Sequence, residues 1–150
     1  MARGDSKRAS AYEYNKGLGS YNNSTDVFSW SFVSDTYASI DVNAASLSMS
    51  DVTLVASGGN YTAGTTLANT TWAQSGDTST LDADDFSFAA DGANPTTVRC
   101  LVIYNNTSAS DDILKVVDIT TDGTTQVDTT QGFTYTVNAS GVVQVQVNAP

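Results

Sequence analysis

The chain has 150 residues, 40% of them hydrophobic, and sets six Lys and Arg against sixteen Asp and Glu for a formal net charge of −10. That length suits one domain with a sizeable core of its own. Histidine is absent, which removes Ser-His-Asp and His-zinc chemistry, and the lone Cys100 leaves no internal disulfide to form.

Residues 1–25 are polar, aperiodic and rich in Gly, Ser and Asn. Their large anchors are Tyr12, Tyr14, Leu18 and Tyr21. Charge is uneven: Arg3, Lys7, Arg8 and Lys16 fall in the first 16 residues against only Asp5 and Glu13, so this stretch is net positive on an acidic body. Such a segment buries too little to order itself and is expected to be a flexible basic arm. Two readings of its charge stay open: docking on an acidic partner surface, or simple solvation of a tail. It carries no apolar core of the kind a secretory signal needs. No stretch approaches the roughly 18 apolar residues of a membrane-spanning helix.

From Asp26 the pattern changes. Phe28, Trp30 and Phe32 alternate with Ser29 and Ser31, a strand with an aromatic face expected to be core. Tyr37 to Val42 and Asp51 to Ala56 read as further strands. Residues 43–50 are ambiguous between helix and extended chain. Leu81 to Phe88 is another extended piece. Val98 to Tyr104 is apolar on both faces except at Arg99, which predicts a central strand, and Ile113 to Ile119 follows it. Asp122-Gly123 is a turn signal. Phe133, Tyr135 and Val137, then Val143, Val145 and Val147, alternate with polar residues, and the Asn138 to Gly141 segment is expected to join them as a hairpin. Short strands at this spacing predict an all-β fold, a single β-sandwich or jelly-roll-like domain over residues 26–150. The expected core comprises Val98, Cys100, Val102, Ile103, Leu114, Val116, Phe133 and Val145.

Three segments in this order carry a resemblance. They are Tyr61-Thr62-Ala63-Gly64-Thr65-Thr66-Leu67-Ala68-Asn69, Leu81-Asp82-Ala83-Asp84-Asp85, and the strand ending Val102-Ile103-Tyr104 with its Thr107-Ser108-Ala109-Ser110 turn. The closing Phe133-Thr134-Tyr135-Thr136-Val137-Asn138-Ala139-Ser140-Gly141-Val142-Val143 extends it. Together they resemble a family of small β-rich structural proteins of tailed bacteriophages, over about the last 90 residues and much less over the first 50. The resemblance implies a virion component on the outer surface of the head, a decoration or cement protein. It implies the major capsid protein and further copies of this chain as partners, with a trimer as the expected oligomer, and neither nucleic acid nor membrane as a target.

Chemistry has few footholds. Asp82, Asp84 and Asp85 are the conspicuous acidic cluster. They are read first as a turn-forming or solvated group, with a calcium site and a glycosidase carboxylate pair as weaker alternatives. No cofactor and no catalytic residue is expected, because an acid–base set would have to come from Asp residues and Glu13 alone. Buried Cys100 reads as an inert thiol. Arg99 and Lys115 are expected to pair with Asp residues or to meet a neighbouring subunit. The expected contact residues are Arg3, Lys7, Arg8, Tyr12, Tyr14 and Tyr21 of the arm. The alternative function is a tail or fibre component with a glycan-binding surface, for which only Trp72 and Tyr61 sit near turns. An enzyme is the poorest reading.

Overall fold

The strand with the clearest alternation lies at the heart of an antiparallel, all-β fold. The computed structural model describes residues 4–75 and 78–146, the last four of these by backbone alone. In chain order the elements are β1 (Ser6–Arg8), α1 (Ser10–Gly17), β2 (Phe28–Val33), β3 (Thr65–Thr66), β4 (Thr71–Ser75), β5 (Thr78–Asp82), β6 (Phe86–Phe88), β7 (Cys100–Asn105), β8 (Asp112–Asp118), β9 (Phe133–Tyr135) and β10 (Val143–Gln146). A five-stranded sheet runs β1-β8-β7-β2-β3. A three-stranded sheet runs β10-β5-β4, and β6 pairs β9. No helix among the described residues is long and apolar enough to cross a membrane.

Register explains why the large sheet is buried on both faces. Trp30 pairs with Ile103 and Phe32 with Leu101, so the aromatics and the large aliphatics share one face. That face packs on the β6–β9 pair: Trp30 stacks on Phe86 at 4.5 Å, and Phe32 meets Phe133 edge-on at 4.9 Å between ring centroids. Ser29 and Ser31, expected to face water, are buried instead. The 34–64 connection crosses their face: Ser31 Oγ accepts the Gly64 N–H at 2.8 Å, and Val33 bridges Leu54. Val98, Cys100, Val102, Ile103, Leu114 and Val116 are buried as their apolar run predicts. Phe133 is half-buried against the core. The side chain of Val145 lies outside the described residues.

Four expectations are corrected. Tyr37 to Val42 is a loop, and Asp51 to Ala56 is not a strand. Asp51 closes a 3₁₀ turn over Met49–Asp51, where its carboxylate accepts the Ser48 N–H and hydroxyl at 2.8 and 2.9 Å. The Asn138 to Gly141 turn forms, with the Gly141 N–H on Asn138 O at 2.7 Å, but its flanking strands do not pair with each other. β9 pairs β6 and β10 pairs β5, so the turn hands the chain from one sheet to another.

The largest correction concerns residues 1–25. Among the described residues this segment is part of the domain and not an arm standing off it. β1 extends the large sheet through Ser6↔Val117, Lys7↔Val116 and Arg8↔Lys115. Helix α1 then lays Ala11 and Tyr12 on the domain, with Tyr12 only 1% exposed. One buried tyrosine and three backbone-paired residues supply what the apolar count could not foretell.

Candidate functional site

The expected contact residues separate once the N-terminal segment is folded. Arg3 lies outside the described residues. Lys7 is turned inward: its ammonium donates to the carbonyls of Tyr37 and Ile40, the latter at 2.6 Å, and sits 4.5 Å from the Tyr37 ring centroid. It clamps the 37–40 loop onto β1. Tyr12 donates its hydroxyl to Asn23 Oδ1 and stacks on Tyr21 at 5.0 Å. Tyr21 in turn donates to the Asp112 carboxylate and accepts from Asn15 Nδ2 at 3.0 Å. These two tyrosines hold the segment to β8, and Tyr12 presents no surface to a partner.

Tyr14 remains as an open anchor. It is 67% exposed, and Leu18 one helical turn later is 62% exposed. Beside them Ser10, Ala11, Tyr14, Asn43, Ala44 and Ala45 line a shallow hollow of about 290 Å³. The sequence put Tyr14 forward together with Tyr12 and Tyr21, and its pairing with Leu18 was missed because the helix itself was not foreseen.

Arg8 bridges Glu13 at 3.1 Å, while Lys16 reaches the same carboxylate at 3.4 Å and covers the Trp72 ring. Exposed pairs of this kind contribute about 0–1 kcal/mol. Arg99 donates to the carbonyls of Thr124 and Ser34 at 2.6 and 2.7 Å, a structural cross-tie in place of the expected Asp pairing.

The acidic cluster is divided among turns. Asp82 Oδ1 accepts its neighbour Ala83's N–H at 3.0 Å, Asp84 accepts Asn69 Nδ2 at 2.6 Å, and Asp85 accepts the Val137 N–H at 2.8 Å. The three do not lie along one strand: β5 ends at Asp82 and β6 starts at Phe86. Each carboxylate ties a different piece of chain. Among the described residues no group of three or more acidic, Cys or His side chains is arranged to hold a metal ion.

Burial dominates the titration of three weak acids of the domain, Cys100, Tyr21 and Tyr12. The Cys100 thiol is pushed up to about 12 by burial, with the Asp118 charge adding to it. The Tyr21 phenol is pushed up to about 12 by burial and by its bond to Asp112. Tyr12 is also raised, mainly by burial, then by the Asp26 charge. Each group holds its proton more tightly folded than unfolded. Their stabilisation is therefore full below the ordinary thiol value of 9.0 and is lost as pH rises toward about 12. The thermal midpoint is expected to hold steady up to about pH 9 and then to fall continuously. A midpoint unchanged from about pH 8 to 11.5 would show that these groups titrate as free side chains. Iodoacetamide at pH 8 should leave Cys100 unmodified until the chain unfolds.

Comparison of the chain with protein-family models, with curated proteins and with solved structures gave no match.

Proposed function

We propose that this chain is a non-enzymatic structural protein of a tailed-phage virion, a decoration protein that docks on the outer surface of the head and stabilises the shell. One observation carries the reading: the segments that resemble the phage family coincide with the joints of the sandwich. Tyr61 accepts the Phe32 N–H at 2.8 Å in the core, and the Gly64 and Leu67 N–H groups donate to Trp30 O and Phe28 O. The Asp84–Asn69 and Asp85–Val137 bonds lock the Leu81 to Asp85 segment to its neighbours. The resemblance thus falls on residues that specify a scaffold, as expected when a family shares architecture more than surface.

The partner in this reading is the major capsid protein, met by several copies of this chain, a trimer in the simplest arrangement. Tyr14 and Leu18 form the contact: two large apolar side chains on one exposed helix face, of the kind that anchors an interface. Binding only to the mature shell would stabilise it by mass action, about 2.7 kcal/mol per site at a hundredfold excess over Kd.

Co-sedimentation with purified heads tests this. Saturable binding is expected, and Tyr14→Ala or Leu18→Ala should weaken it about tenfold or more while leaving the thermal midpoint nearly unchanged. Binding to isolated tails or to host glycans, with none to heads, would favour the tail or fibre reading instead.

A further inference from the structure

Two glycines mark the end of helix α1, and only one of them is explained by the single chain. Gly19 has φ +75 and follows the helix in the left-handed conformation that glycine adopts without strain. Gly17 lies inside the last turn in helical backbone, and a Cβ built there meets nothing within 4 Å. A glycine inside a helix costs about 1 kcal/mol against alanine. Among the described residues nothing accounts for that cost at Gly17.

Gly17 belongs to the face of α1 that the domain leaves open. At roughly 100° per residue, Ser10 and Leu18 fall within about 40° of Tyr14 around the helix, and Ala11 and Gly17 within about 60°. Ser10, Tyr14, Gly17 and Leu18 are exposed, and no charged residue falls in this stripe. Beside its N-terminal half lies the hollow of about 290 Å³, where Ala44 and Ala45 join Ala11. Its wall is tied to the helix: Val42 O accepts both the N–H and the hydroxyl of Ser10 at 2.8 Å.

A knob and a hole therefore stand on one helix, a turn to either side of Tyr14. Leu18 projects at the C-terminal end, 62% exposed, and the alanine-lined hollow lies at the N-terminal end. A two-fold axis through Tyr14 sets α1 antiparallel to its copy, and residues equally far from Tyr14 on either side then face each other. Each Leu18 lands over Ser10 and the hollow of the other copy. Gly17 comes against Ala11, and small residues at such a crossing let two helices approach closely. Charge favours the same face. The chain carries −10, yet its first 16 residues hold four basic and two acidic side chains. Copies that meet on the acidic body bring like charges together, and copies that meet through α1 do not.

We infer that, off the head, the Tyr14–Leu18 face is covered by a second copy of this chain, α1 antiparallel to α1, with each Leu18 seated in the other's hollow. The inference rests on the reading of that face as the contact surface and adds its regulation: docking exchanges the second copy for the capsid protein. A contact this small belongs to the weak, transient class, so it can be displaced.

Sedimentation velocity of the full chain from about 1 to 100 μM tests this, and a monomer–dimer equilibrium is expected across that range. Leu18→Ala should weaken the dimer about tenfold or more, and so should Gly17→Gln, which fills the close approach. At the lowest concentration, where the chain is monomeric, Gly17→Gln should melt at or above the parent, because glutamine is the better helix former. Tyr14→Cys should cross-link to its own copy under mild oxidation, since position 14 sits on the axis. A chain that stays monomeric to about 100 μM overturns the inference whether or not it binds heads. So does a dimer or larger oligomer that Leu18→Ala and Gly17→Gln leave intact, or a Gly17→Gln monomer that melts below the parent. A dimer that both variants break supports the inference even where heads are not bound, and in that case it is the docking reading that falls.

Discussion

Deletion of residues 1–25 is expected to lower the thermal midpoint by at least about 10 °C or to abolish the cooperative transition. Polar composition alone argues the opposite, a dispensable tail. The register decides against it. Removing the segment strips β1 from β8 and frees the Asp118 and Leu114 carbonyls, which now accept the Gly4 and Ala9 N–H groups at 2.8 and 3.1 Å. The Asp118 N–H loses Asp5 O, and Val42 O loses the Ser10 N–H. Each such bond contributes about 1 kcal/mol net. Burial of Tyr12 adds about 1.5–3 kcal/mol. The Lys7 clamp on the 37–40 loop goes with them. The total, at least about 5 kcal/mol, is comparable with the whole stability of an ordinary domain. Differential scanning calorimetry of the truncated and full chains measures it. A truncated chain that melts within about 2 °C of the parent would mean that β1 and α1 contribute little and that the segment behaves as the free arm its composition suggests. Tyr12→Ala in the full chain should reproduce part of the loss, which separates the side chain from the strand.

Legibility followed the range over which each feature is determined. β2 and β7 were readable because their burial is written locally, in alternating aromatics and in an unbroken apolar run. Helix α1 was not, because Ser10–Gly17 has just two buried residues, Ala11 and Tyr12. It is held from outside the helix: Asn23 takes the Tyr12 hydroxyl, and Tyr21, stacked on Tyr12, is tied to the distant Asp112. Residues 51–56 alternate convincingly yet form one bridge, Leu54 to Val33 at the end of β2, with the Val55 N–H on Phe32 O beside it. The C-terminal strands were legible and their pairing was not: β9 takes β6, where Phe86 and Phe88 face Tyr135 and Phe133, and β10 is left to pair β5. The site divides the same way. Tyr12, Tyr14 and Tyr21 stood out together as anchors in a polar stretch, but which of them stays exposed depends on a helix and on a cross-strand register, Arg8 opposite Lys115, between residues far apart in the chain. No local spacing encodes that.

Phe32→Ala is expected to cost about 3–5 kcal/mol, the largest loss from any single truncation in the core. Phe32 is fully buried at the centre of a ring cluster, with Tyr61 stacked at 4.8 Å, Phe133 edge-on at 4.9 Å, Trp30 at 5.4 Å and Phe88 at 6.0 Å between centroids. Those rings come from β2, the 34–64 connection, β6 and β9, so one side chain touches both layers of the sandwich. They cannot all close on the vacancy, because β2 is pinned on its other edge by β7. The cavity term is therefore expected near the upper part of its range. Tyr61→Phe provides the calibrating comparison. It keeps the ring and removes the hydroxyl that accepts the Phe32 N–H at 2.8 Å, leaving a buried donor unpaired at about 1–3 kcal/mol. Phe133→Ala, at a half-buried position, should fall below Phe32→Ala, and the double variant should lose less than the sum because the two rings share one contact. Urea unfolding of the four variants gives these values directly. A Phe32→Ala loss smaller than that of Phe133→Ala would place the centre of the core between β6 and β9, and the two-layer packing described for β2 would have to be abandoned.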